Sequence, residues 1–213
     1  MNLADYLAHE KDKTIVLPPR LFAPVSYYAT LAEYQHAVID LYMPYNKRDK
    51  DVHRYTIVDA RDNLQLTVPL AKPHSRLTWN DVEISEHNSW WNNHRNALES
   101  AYGRTPFFEF YIGRFLPYLT ADISLGEMIR KTDERIRAIL SLKTAVEYQP
   151  STDEPIVDSR YLKMRETTCF EPYYQVRQQQ LGFRPDLSIL DLIFNMGPEA
   201  AVILARQIKR RHE

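Results

Sequence analysis

The 213-residue chain carries 27 Lys+Arg against 28 Asp+Glu, a formal charge of −1, so no net field draws it to nucleic acid or to an anionic membrane. Its length suffices for one domain with a sizeable core, and no apolar run approaches the roughly 18–20 residues of a membrane-spanning helix. A single cysteine, Cys169, excludes an intramolecular disulfide framework and a Cys-rich zinc site. The five glycines never cluster, which excludes the dinucleotide-binding and P-loop phosphate cradles. The opening MNLADYLAHEKDK mixes charges of both signs without an apolar stretch, unlike a secretory signal. The bulk reading is a soluble cytoplasmic protein, and no motif in it names a cofactor.

Thr14 to Leu17 reads as a short strand, broken by Pro18 and Pro19. Pro24 opens a helix, PVSYYATLAEYQ, because a first helical turn does not need the N–H that proline lacks. Val25, Tyr28, Leu31 and Ala32 form its buried stripe. AVIDLY, residues 37–42, reads as the next strand, and strand, helix and strand within about 30 residues predict a βαβ unit with parallel pairing. RYTIVD and LQLTVPL, residues 54–59 and 64–70, alternate with period two. Tyr55 and Ile57 face one way, as do Leu64, Leu66 and Val68, and the polar link Ala60-Arg61-Asp62-Asn63 closes an antiparallel hairpin. Pro69 ends the second strand at an edge, and VEI at 82–84 offers one more short strand.

From Trp90 the period turns helical. Trp90, His94, Ala97, Leu98 and Ala101 share a face, with Asn92, Asn96 and Glu99 on the other. Gly103 ends this helix, and Thr105-Pro106 starts a second that runs to Phe115. Ser124 with Glu127 is a capping-box signature ahead of Leu125, Met128, Ile129, Ile136, Ile139 and Leu140. EYQPSTDEPIVDSR, residues 147–160, reads as loop or linker. Ser188 and Asp191 mark another cap before SILDLIF, and Gly197-Pro198 stops that helix and opens the last. Lys209, Arg210 and Arg211 in the last turn complement the helix dipole. The expected fold is α/β: a βαβ start plus an antiparallel hairpin in a mixed sheet, with a largely helical C-terminal half. Its expected divisions are a tail (1–13), an α/β core (14–146), a linker (147–160) and a C-terminal helical part packing on the core (161–213).

His94 is the residue on which chemistry turns. A half-buried imidazole beside an apolar stripe has its pKa and tautomer set by its surroundings. It serves either as a catalytic base or binding group, or as a hydrogen-bonded core histidine, and spacing alone favours the core reading. The loop MPYNKRDKDVHRY, residues 43–55, brings Lys47, Arg48, Lys50, His53 and Arg54 together after a strand, where α/β proteins place ligand groups. Lys47 and Arg54 can clamp a phosphate or carboxylate, and Lys72 sits at another strand end. Composition alone favours a solvated charged loop for all of them. The seven histidines show no metal-binding spacing, Cys169 has no basic neighbours to activate it, and no nucleophile elbow is present. Glu99 and Glu109 fall on different helices, which favours Glu99 pairing with Arg95 over a catalytic carboxylate pair.

Trp90-x-x-x-His94, LESAY with Glu99, Ser100 and Tyr102, and then TPFFEFY resemble the WbqC-like protein family. LSILDLIFNMG at 187–197 is similar to the C-terminal signature of its longer members. RYTI and VPLAKP match its strand pattern, and VSYY matches its N-terminal segment more loosely. The chain departs from the family where DKDVHRY stands before the hairpin: Arg54 carries over, while His53 occupies a position where Asn is usual. The resemblance implies an association with bacterial surface polysaccharide (O-antigen) gene sets, and a glycine- or acyl-transferring role on a sugar.

Carried over by position, the resemblance assigns His94 as general base with Glu99 fixing its tautomer. Lys47, Arg54 and Lys72 would hold an anionic donor, and Tyr102 would orient the substrate. The implied partner is a sugar nucleotide or an activated acyl or aminoacyl donor, with no metal, nucleic acid or membrane insertion. The alternative is a non-catalytic sugar-nucleotide-binding or assembly protein. A sealed His94 that donates to a backbone carbonyl favours the structural reading. A cleft lined by His94, Arg54 and Tyr102 favours chemistry.

Overall fold

The computed structural model describes residues 13–149, 156–160 and 170–211. Tail residues 1–12, part of the linker and Cys169 lie outside them. In chain order the elements are β1 (Thr14–Leu17), α1 (Val25–Ala32), β2 (His36–Ile39), β3 (Arg54–Val58), β4 (Asn63–Thr67), α2 (Trp90–Tyr102), α3 (Phe108–Tyr111), α4 (Leu125–Ile139), β5 (Ala145–Glu147), β6 (Ile156–Asp158), α5 (Gln178–Leu181), α6 (Ile189–Met196) and α7 (Ala200–Arg211).

The α/β expectation holds. β1 and β2 pair in parallel from Thr14↔His36 to Leu17↔Ile39, with α1 as the crossover. All four residues of β1 are buried, as a strand covered on both faces requires. The hairpin also keeps its expected facing: Tyr55 pairs with Leu66 and Ile57 with Leu64. It forms a two-stranded sheet of its own, however, beside a four-stranded parallel sheet in the order β5-β2-β1-β6. Val82-Glu83-Ile84 contributes a single bridge, Leu70↔Ile84, and no strand. The stretch 147–160 differs more. Glu147 closes β5, and Ile156–Asp158 forms β6, which pairs with β1. Only three residues long and ending in Asp158, β6 leaves too short an apolar run for periodicity to register.

The helical half is held by caps and close approaches. Ser124 Oγ accepts from Glu127 N at 3.1 Å, the expected start of α4. A Cβ on Gly126 would stand 2.5 Å from Asn80 Cα, so glycine is what lets α4 lie against the turn Trp79–Asp81. The helix expected from Pro106 to Phe115 is broken into α3 and two 3₁₀ turns. α6 is buried from Ile189 through Asn195, the polar Asp191 and Asn195 included. It ends at Gly197, whose φ of 51° and 2.5 Å approach to the Phe107 ring both require glycine. Ile189, Leu190 and Phe194 share one apolar core with Ile15, Val25 and Tyr55. No described helix is long and apolar enough to cross a membrane.

Candidate functional site

The strand order locates a crevice. From β1 the chain runs through α1 to β2 on one side, whereas β6 arrives later on the other. Connections that part in this way open a gap beyond the carboxyl ends of parallel strands, where α/β proteins hold ligands. Asp40 directly follows β2, its backbone N–H bonded to Leu17 O at 3.0 Å. Its carboxylate is buried: Oδ1 accepts from Tyr42 N at 3.0 Å and Oδ2 from Arg160 Nη1 at 2.7 Å. Arg160 reaches Asp40 across the end of β1, because it stands two residues beyond β6. There it also chelates Asp158, with Nε to Oδ1 at 3.0 Å and Nη2 to Oδ2 at 2.7 Å. These hydrogen bonds hold the Asp158 carboxyl below its ordinary pKa, so it is ionised at neutral pH. Tyr42 is exposed beside this cluster, and Arg20, after β1, pairs with Asp51 at 3.2 Å.

The sequence names none of Asp40, Tyr42, Asp158 and Arg160 as site residues. A signal was there: AVID and PIVD both run apolar residues straight into an aspartate, the expected form of a buried parallel strand ending at a polar edge.

His94 lies elsewhere, under the hairpin, and is 3% exposed. Its ring is fixed on every side. Nε2 faces Thr67 O at 3.3 Å; a carbonyl only accepts, so Nε2 carries the proton. Nδ1 is then the acceptor for Tyr55 Oη, 3.1 Å away. The Trp90 ring packs edge-on with centroids 4.9 Å apart, and its buried indole N–H has no hydrogen-bond partner. Burial lowers the imidazole pKa to about 4, against a smaller opposing effect from the Thr67 carbonyl. This is a neutral, sealed histidine donating to backbone.

The other sequence-named residues do not gather around it. Arg54 lies next to Tyr55 on a strand whose side chains alternate, so it occupies the outer face. There Nε donates to Thr67 Oγ1 at 3.0 Å and Nη1 to Gln65 Oε1 at 3.3 Å. The hairpin stands between Arg54 and His94. Glu99 is on the exposed side of α2, and both His94 nitrogens are already engaged, so it does not set the tautomer. Tyr102 is wholly buried, accepting from Val58 N at 3.5 Å and facing the buried Asp191. Lys47 and Lys72 are exposed, Lys47 on the connection that leaves the sheet edge after Tyr42. His53 donates from Nδ1 to Val68 O at 2.7 Å.

Ser188 caps α6 as expected, its Oγ accepting from Leu190 N at 3.3 Å. Asp191 receives Tyr173 Oη at 2.7 Å, Gln175 Nε2 at 2.9 Å and Asn195 Nδ2 at 3.3 Å. Burial, partly offset by these donors, pushes its carboxyl up to about 6. Among the described residues no cluster of His, Cys, Asp and Glu could hold a metal ion. An apolar groove of about 720 Å³ between α1, α4 and α7 lies at the opposite edge of the sheet, where His36 and Ala145 begin their strands.

No curated protein and no solved structure matches the chain. A family profile does, over residues 19–167, a span running from the loop after β1 to beyond Arg160. The chain belongs to the WbqC-like protein family.

Proposed function

We propose that this protein serves surface-polysaccharide building in the cytoplasm by binding an activated sugar, acyl or aminoacyl donor at the carboxyl edge of its parallel sheet. Family membership suggests the polysaccharide-associated role. The observation that carries the location is the β5-β2-β1-β6 order, with Arg160 bridging the gap beyond β1 from Asp158 to Asp40. Lys47 and Arg48, exposed on the connection that leaves this edge, supply positive charge for the anionic part of the donor.

Between a transferase using His94 as its base and a binding or assembly protein, the geometry supports the second. A base must come within hydrogen-bond reach of the proton it removes, and His94 offers both nitrogens to the protein's own groups. Glycyl or acyl transfer on this chain would need its base elsewhere.

A thermal-shift panel of sugar nucleotides, acyl-CoAs and glycine tests the reading. A ligand at 100 times its Kd contributes about 2.7 kcal/mol, which at roughly 2–4 °C per kcal/mol raises the midpoint by about 5–11 °C. A blank across the panel overturns the small-molecule reading.

A further inference from the structure

The charges at the sheet edge set what it can take. Two carboxylates, Asp40 and Asp158, share one guanidinium, Arg160. The cluster is therefore net negative, and the neighbouring Arg20–Asp51 pair adds no net charge. A phosphate placed here meets like charge at close range. A hydroxyl does not.

Asp158 is built to accept. Its Oδ1 already takes two hydrogen bonds, from Arg160 N and Nε, each at 3.0 Å. Oδ2 takes Arg160 Nη2 at 2.7 Å, and a carboxylate oxygen has room for two donors. The side chain is 42% exposed, whereas that of Asp40 is 3% exposed, so Asp158 is the carboxylate a ligand can touch. The chelating guanidinium fixes its orientation before any ligand arrives, which lowers the ordering cost of binding. On the far side of β1, Tyr42 leaves a large ring 44% exposed, tied to the cluster by its backbone bond to Asp40. β2 and β6 flank β1, so these two strand ends stand about 10 Å apart, a span that admits one sugar ring.

We infer that this edge recognises the sugar ring of a donor, a ring hydroxyl donating to Asp158 Oδ2 and an apolar ring face lying on Tyr42. Arg160 is a positioning residue that holds the Asp158 carboxylate in place. The inference rests on the reading above that this edge is the ligand site.

Titration calorimetry on the full chain tests it, with UDP-glucose, UDP-galactose and GDP-mannose each compared with its bare nucleoside diphosphate. The parent protein is expected to bind at least one sugar nucleotide tenfold or more tightly than the matching diphosphate. In Asp158→Asn and Tyr42→Ala that ratio is expected to fall towards one, with diphosphate affinity unchanged. Both side chains are exposed, and an unchanged melting temperature verifies the fold. A ratio that survives both substitutions overturns the assignment and moves sugar recognition away from this edge. A parent that binds sugar nucleotide and diphosphate equally overturns the sugar assignment and leaves the site reading standing. So does binding of acyl-CoA or glycine alone. Silence from every ligand of the wider panel overturns both.

Discussion

Two polar clusters in this protein are built from similar parts and end in opposite states. Under the hairpin, His94 is enclosed by Tyr55, Trp90 and the Thr67 carbonyl, and its surroundings force it neutral. At the sheet edge, Asp158 is enclosed on one side by Arg160, which forces it charged, and stays open on the other. Desolvation governs the first and a charged partner governs the second. The difference teaches that an ionisable residue beside an apolar stripe has first to be assigned a solvent path before it is assigned a role.

The largest expected effect comes from pH. The folded-state pKa of His94, about 4, lies below the unfolded value of 6.5. Its contribution is fully present above pH 6.5 and is lost as pH falls towards 4, by about 3 kcal/mol in all. Asp191 works the other way: its folded pKa, about 6 against 3.8, makes its protonated form favour folding as pH drops through the same window. Over this window the two contributions oppose each other. His94→Gln, which removes one side of this balance, should lose its deficit relative to the parent as pH falls. Denaturant melts at several pH values measure the difference, and a deficit constant with pH would sink the sealed-histidine account.

Arg160→Ala should cost about 2–4 kcal/mol, since it leaves the buried Asp40 carboxylate without its counter-ion. Arg160→Lys should recover part of that stability but not the bidentate hold on Asp158. Tyr55→Phe should cost about 1–2 kcal/mol by stranding His94 Nδ1 without a donor, read as a lower urea midpoint at an unchanged slope. Smallest of all, Glu99→Gln should move stability by under about 0.5 kcal/mol and leave ligand binding unaltered. A large loss of binding in that variant would reinstate α2 as part of the site.

How much of this the sequence discloses depends on how far the deciding contact lies along the chain. The βαβ start, the hairpin register at Tyr55↔Leu66, the Ser124 cap and the Gly197 stop follow from neighbours a few residues away. The face of α2 carrying His94 is equally local. What closes over His94 is not, because Thr67 and Tyr55 reach it from another element. The sheet edge is more remote still. Asp40 and Arg160 are joined by a strand whose three residues lie in a stretch that reads as linker. Periodicity carries no information about which distant strand ends will meet.

That same strand order has a consequence for how the protein is made. β1 leaves the ribosome first of the four strands of its sheet, and β2 follows soon after to cover one of its edges. The other edge is completed only when Ile156–Asp158 arrives to pair with Thr14–Val16. At about 5–20 residues per second, that wait is on the order of ten seconds. Throughout it, the most buried strand of the finished sheet presents an open row of unpaired backbone donors and acceptors beside apolar side chains, the kind of edge on which chains aggregate. A short, late strand thus becomes the step that seals the nascent chain, and changes in Ile156–Asp158 should show first in the yield of soluble protein during synthesis.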